Sequence, residues 1–243
     1  MKYSYVLIIT IKRWLNANWP LITQFSVNII KISYLNTLLI DSQYFPVVNY
    51  YSTLFQFKHI QIDIYERHQK LSFCNRCVIA GAHGIIKLTV PLVGGRDQKS
   101  ELRDLKIDYS FNWRTQHLRS VVSAYNRSPY FEHFKAGFSS LFETRPVFLF
   151  DWNQTCMYWL MEQTGANWTM SDTSLRHEEN QEQLIDMRRQ FTPKSPYGAS
   201  QKTMTYRQVF QERNGFQPNL SIIDLLFCAG PVGVQDFVRY RHD

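Results

Sequence analysis

The stretch HQKLSFCNRCVI, residues 68–79, gathers a C-x-x-C pair, a histidine, a lysine, an arginine and three uncharged polar side chains. The two cysteines, Cys74 and Cys77, could supply half a zinc site or a dithiol. A structural zinc takes four ligands, yet no second C-x-x-C follows, and His59, His68 and His83 lack the spacing of a histidine ligand pair. A redox dithiol sits at a helix start, where the helix dipole lowers a thiol pKa, whereas Cys77 leads into the strand-like VIAG. The pair therefore reads as two thiols near the start of a strand, and no metal is required. Its neighbours differ. On an extended segment Lys70 and Ser72 would share one face, with Asn75 and Arg76 opening the next element. Such a set can hold a phosphate or carboxylate through charge-assisted hydrogen bonds, or form a solvated edge.

Two further positions could do chemistry. His117 falls on the apolar arc of a helical segment, beside Val121 and Ala124, where an imidazole is either a core group bonded to a carbonyl or a general acid or base. Ser221 and Asp224 stand three apart ahead of an apolar run, the arrangement of a helix capping box. No P-loop, nucleophile elbow or G-x-G-x-x-G is present, and the sequence leaves the cofactor unknown.

These residues need elements to position them. TLLID reads as a buried strand, FPVVNYYSTLFQF as a helix and HIQIDIY as a second strand, a βαβ opening. NRCVIAGAHGIIKLTVPLV reads as two strands joined at Ala82 to Gly84, and LKIDY as a further short strand. From Trp113 the period becomes helical. SPYFEHFKAGFSSLFE gives a second helix, with Ser128 as cap and Pro129 at its first position, and PVFLFDWNQTCMYWLMEQTG gives a third, closed by Gly165. From Asn167 to about Thr205 the chain turns polar. There SLRHEENQEQLIDMRRQF is expected as a solvated helix within a flexible segment. The last block, ending IIDLLFCAGP, is helical up to Gly230 and Pro231.

A chain of 243 residues with 44% hydrophobic and 15% aromatic residues can bury a large core, which points to one globular domain. Lys and Arg number 27 against 20 Asp and Glu, and the net charge of +7 favours anionic partners. The basic residues are scattered, with no run interleaved by aromatics, which argues against nucleic acid. Four unevenly spaced cysteines make no disulfide framework and fit a reducing, cytoplasmic compartment. Residues 1–36 are expected to be an appendage outside the fold. Lys12 and Arg13 interrupt their first apolar run, and Asn, Pro and Gln break the rest below the ~20 apolar residues of a membrane span.

Several segments together resemble the WbqC-like family of bacterial proteins: DSQYFPVVNYY, HQKLSFCNRCVI, LTVPL, KIDYSFNWRTQHLRSVVSAYNRSPYFEHF and FQPNLSIIDLLFCAGP. They cover most of the chain from Thr37 onward. The polar positions of the motif include Gln43, Tyr44, Gln69, Lys70, Ser72, Asn75, Arg76, His117, Tyr125, Asn219, Ser221 and Asp224, whereas Cys74 is incidental to it. Family members lie in gene clusters for O-antigen and related surface polysaccharides. The resemblance implies transfer of an acyl or aminoacyl group to an amino sugar. The substrate would be an anionic small molecule such as a sugar nucleotide.

The resulting expectation is an α/β domain over 37–240, a mixed β-sheet from the N-terminal half covered by helices from the C-terminal half. The function expected is transfer on a nucleotide-linked or phosphorylated sugar. Lys70 and Arg76 would hold the anion and His117 would take a proton. Gln43, Tyr44, Ser72, Asn75, Tyr125 and Asn219 would orient the substrate. The alternative is a non-catalytic ligand-binding or assembly protein, in which the same side chains form a buried structural network.

Overall fold

Leu38, Leu39 and Ile40 are apolar in succession and buried on both faces. That pattern belongs to the middle of a parallel sheet, where both faces are covered. In the computed structural model, which describes residues 37–95, 98–174, 184–194 and 205–240, this segment is β1 (Thr37–Ile40) and it is central. Helix α1 (Val48–Leu54) and strand β2 (His59–Ile62) complete the βαβ opening, with Ile40 paired to Ile62 in parallel register. The hairpin β3 (Arg76–Gly81) and β4 (Gly84–Thr89) follows, antiparallel from Arg76↔Thr89 to Gly81↔Gly84.

Three helices follow: α2 (Trp113–Tyr125), which packs on the hairpin strand β3, α3 (Phe131–Leu141) and α4 (Leu149–Thr164). Gly165 closes α4 in the left-handed conformation expected of it. Strands β5 (Thr169–Asp172) and β6 (Leu184–Asp186) come next, then α5 (Gln211–Asn214) and α6 (Ile222–Tyr240). Gly230, at φ 71° and ψ −176°, breaks α6 before Pro231, in a backbone region open only to glycine. A Cβ there would lie 2.7 Å from the Tyr130 ring.

The fold is a single α/β domain with both parallel and antiparallel pairing. Its four-stranded sheet runs β5-β2-β1-β6, all parallel, and the hairpin stands as a separate pair. Phe138 anchors the core among the helices, its ring 5.4 Å from Phe45, 5.3 Å from Phe142, 5.6 Å from Trp159 and 5.5 Å from Phe227. Such aromatic pairs are each worth about 1 kcal/mol beyond the area they bury.

Four local expectations are corrected. Within SLRHEENQEQLIDMRRQF the described part contains a short strand and no helix: Leu184–Asp186 pairs with Thr37–Leu39, because the open edge of β1 offers it a ladder. LKIDY makes only single bridges, Lys106 to Phe148 and Ile107 to Leu92, since its two sides face different partners and no strand runs alongside. Ser128 does not open α3. Its hydroxyl donates back to the Tyr125 carbonyl and closes α2, and Tyr130 is the residue before the first turn of α3. The capping box does not form either, as Ser221 donates to the Phe45 carbonyl while the Asp224 carboxylate is taken by two tyrosines and a glutamine. Residues 1–36, 175–183 and 195–204 lie outside the described residues, and with them the expected appendage and much of the expected flexible segment.

Candidate active site

Each strand of the parallel sheet ends in, or is followed at once by, an aspartate. Asp41 follows Ile40, Asp63 follows Ile62, and Asp172 and Asp186 end β5 and β6. At this carboxyl edge the chain leaves β1 for β2 on one side, whereas β6 pairs on the other, a change of direction at which open α/β sheets bind ligands. A small pocket of about 40 Å³ that opens to solvent lies there. Asp41, Glu66, His68, Gln69, Ser72, Cys74 and Arg189 are among the residues that line it.

Asp41 is the distinctive group. Its Oδ1 accepts the Arg189 backbone N–H at 3.0 Å, and Gln43 Nε2 lies at the outer limit of a hydrogen bond from Oδ2, 3.5 Å. Burial, and then the neighbouring charge of Glu66, push its pKa up to about 7 from an ordinary 3.8, against the opposing effect of these donors. A carboxyl group so placed is half ionised at neutral pH, the condition for a general base. Burial lowers the pKa of His68, and its Nδ1 has no hydrogen-bond partner among the described residues. Ser72 Oγ likewise lacks one. Cys74 is held as a neutral thiol, first by burial and then by Asp41 and Glu66.

The segment after β6 forms one wall. Met187 N–H donates to the Leu39 carbonyl at 2.8 Å, and Phe191 is buried edge-on against Tyr50, its carbonyl accepting from Gln43 Nε2 at 3.1 Å. Arg188 ties Asp186 to Asp63, with Nη contacts of 2.5 Å to each. Arg189 reaches Glu66 Oε1 at 2.6 Å.

The residues singled out from the sequence do not converge. Ser72 lines the pocket, and Gln43 stands behind it, bonded to Asp41 and Phe191. Lys70 is exposed and does not share a strand face with Ser72, because Leu71 adopts φ 58° and turns the chain between them, letting Phe73 enter the core. Asn75 ties the ends of the hairpin: its Nδ2 donates to the Val90 carbonyl at 2.9 Å while Val90 N–H returns to the Asn75 carbonyl at 2.8 Å. Arg76 starts β3 and reaches across to Thr89 Oγ1.

The others are interior. His117 is 4% exposed, its Nδ1 3.1 Å from the Tyr44 hydroxyl, with the Thr89 backbone on the imidazole as well. Burial brings its pKa down to about 4, so the ring is neutral. Tyr44 is fully buried. Tyr125 donates to Asp224 at 2.6 Å and accepts from Ala80 N–H, and Tyr206 donates to the other Asp224 oxygen at 2.6 Å. Asn219 accepts from Asn49 N–H at 2.9 Å, capping α1 from 170 residues away.

Sequence reasoning passed over Asp41, Glu66, His68 and Arg189. Asp41 carried a signal, since an acid directly after a buried strand of a βαβ unit stands where ligands bind. Arg189 carried none, being 148 residues from the carboxylate it bonds.

All four cysteines are free. Among the described residues no group of three or more His, Cys, Asp or Glu side chains is arranged to hold a metal ion, and no helix is long and apolar enough to cross a membrane. No curated protein and no solved structure matches the chain. The model of the WbqC-like protein family matches residues 41–199, a span that begins at Asp41 and contains every residue lining the pocket, and the chain belongs to that family.

Proposed function

We propose that this protein transfers an acyl or aminoacyl group to an amine or hydroxyl of a nucleotide-linked or phosphorylated sugar, with Asp41 receiving the acceptor's proton. The observation that carries this reading is a carboxyl group at the exit of the central strand, open to a pocket and brought to a pKa of about 7. In the step, the acceptor nitrogen or oxygen bonds to the acyl carbon. The bond from that carbon to its leaving group breaks, the leaving group keeps the electron pair, and the acceptor's proton passes to Asp41. Membership of the WbqC-like family and the polysaccharide setting implied by the resemblance support a sugar acceptor. His117 serves the core in this reading, since its imidazole is buried and bonded to Tyr44.

The test pairs thermal-shift binding with turnover, using glucosamine 6-phosphate and UDP-N-acetylglucosamine as acceptors and acyl-CoA thioesters as donors. Asp41→Asn should keep the ligand-induced stabilisation and lose about 100-fold or more in turnover, the usual worth of a general base. Turnover unchanged in that variant would remove Asp41 from the chemistry. A second reading, ligand binding without catalysis, rests on the buried pairing of Tyr44 with His117 and of Tyr125 and Tyr206 with Asp224. It gains if these sugars stabilise the protein but no donor is consumed.

A further inference from the structure

Arg189 is placed unusually for a residue whose only duty is a surface ion pair. Its backbone takes φ 62°, a left-handed conformation that costs a long side chain about 1 kcal/mol or more and gathers at ligand sites. The strain is held by pins on both sides, Met187 on the Leu39 carbonyl and Phe191 buried against Tyr50. Between those pins the Arg189 N–H holds Asp41. Its guanidinium meanwhile lies over the pocket, 62% exposed, with Nε 2.6 Å from Glu66 Oε1, a carboxylate that is only 14% exposed. Gln69 also accepts from this guanidinium, at 2.9 Å from Nε, in the amide orientation that satisfies both side chains. One residue thus fixes the base through its backbone and covers the neighbouring carboxylate through its side chain.

Resting on the reading of this pocket as a transferase site, we propose that Arg189 is its anion receptor and that Glu66 is a built-in competitor, which the phosphate group of the substrate displaces from the guanidinium. A phosphate can engage the planar fork of an arginine through two parallel hydrogen bonds, more strongly than the single close Nε contact with Glu66. The exchange needs only a side-chain movement, because the pins hold the backbone. It also has a consequence for the base. Glu66 is the second cause of the raised Asp41 pKa, so a Glu66 carboxylate stripped of its arginine, together with the incoming anion, makes Asp41 a stronger proton acceptor once substrate is bound. An unoccupied site keeps the weaker base.

The test is isothermal titration of inorganic phosphate and glucosamine 6-phosphate at low ionic strength into the wild type, Glu66→Gln and Arg189→Gln, each checked for an unaltered circular dichroism spectrum. Removing a competitor from an ion pair whose arginine is largely exposed is worth up to about fivefold, so Glu66→Gln should bind both anions about 2–5-fold more tightly. Arg189→Gln should bind about tenfold more weakly. Glu66→Gln binding as the wild type does, or more weakly, overturns the exchange. Equal binding by Arg189→Gln assigns the phosphate to another cation and overturns the receptor. In both cases the sugar phosphate still binds, so the transferase reading survives. Failure of the wild type to bind glucosamine 6-phosphate sinks the two together, and Asp41→Asn with undiminished turnover sinks the transferase reading alone.

Discussion

Replacing Asp41 by asparagine should make the protein more stable in mild alkali and leave it little changed in acid. The side chain is nearly isosteric, and the asparagine carbonyl can still accept the Arg189 N–H. Gln43, already 3.1 Å from the Phe191 carbonyl, gives up little when the asparagine nitrogen replaces its 3.5 Å acceptor. What the substitution removes is an ionisation that the folded state resists. Raising a carboxyl pKa from 3.8 to about 7 means that the folded chain holds a proton which the unfolded chain has lost between those values. The stabilising contribution is fully present below the unfolded pKa and is lost as pH rises through about 7. At about 1.4 kcal/mol per pH unit, the full penalty on the wild type is about 4 kcal/mol, of which about 3 kcal/mol develops between roughly pH 4.5 and pH 8.5. Urea unfolding of both proteins at these two pH values measures it. The stability of Asp41→Asn relative to the wild type should rise by about 3 kcal/mol across the interval. A difference that stays constant within about 0.5 kcal/mol would mean that Asp41 titrates as an ordinary carboxylate, and the argument for it as a base at neutral pH would fall.

The remaining predictions concern the interior. His117, with a pKa of about 4 against an ordinary 6.5, contributes stability that is present above the ordinary value and lost as pH falls toward 4; NMR titration should find its ring neutral at pH 6. A midpoint near 6.5 would contradict the buried assignment. His117→Ala leaves the Tyr44 hydroxyl without this partner and opens a cavity, and it should cost about 3 kcal/mol by denaturant unfolding. Gly230→Ala would force a Cβ against Tyr130 at an unfavourable φ and should cost more than about 2 kcal/mol; a variant as stable as the wild type would show that the kink in α6 is not required.

How much of this was legible in the sequence depended on the distance over which each feature is determined. The βαβ opening, the hairpin and the closure of α4 at Gly165 were readable, because apolar runs and a glycine cap act within a few residues. Strand β6 was not, since LID in a charged stretch becomes strand only by pairing with Thr37–Leu39 far earlier in the chain. The same holds for the site. Ser72 was found as one of a polar set with Lys70, Asn75 and Arg76, but residue type alone could not separate it from Asn75, which ties the hairpin, or Tyr125, which serves a buried carboxylate. Lys70 was misplaced by the assumption of an extended chain, which the left-handed Leu71 breaks. Asp41 stood in a recognised segment and was passed over because a lone acid has no pattern of its own. Its chemistry comes from burial and then from Glu66, both of which only the fold brings to it.

The measurement that bears most directly on the carboxyl-edge pocket as the working site is NMR mapping of the labelled protein titrated with glucosamine 6-phosphate. The amide shifts of residues 41–42, 66–69 and 189–192 should move together and saturate with one affinity. Shifts centred instead on Tyr44 and His117, or on Tyr125 and Asp224, with the strand exits unmoved, would contradict the account and return the function to the residues first marked in the sequence.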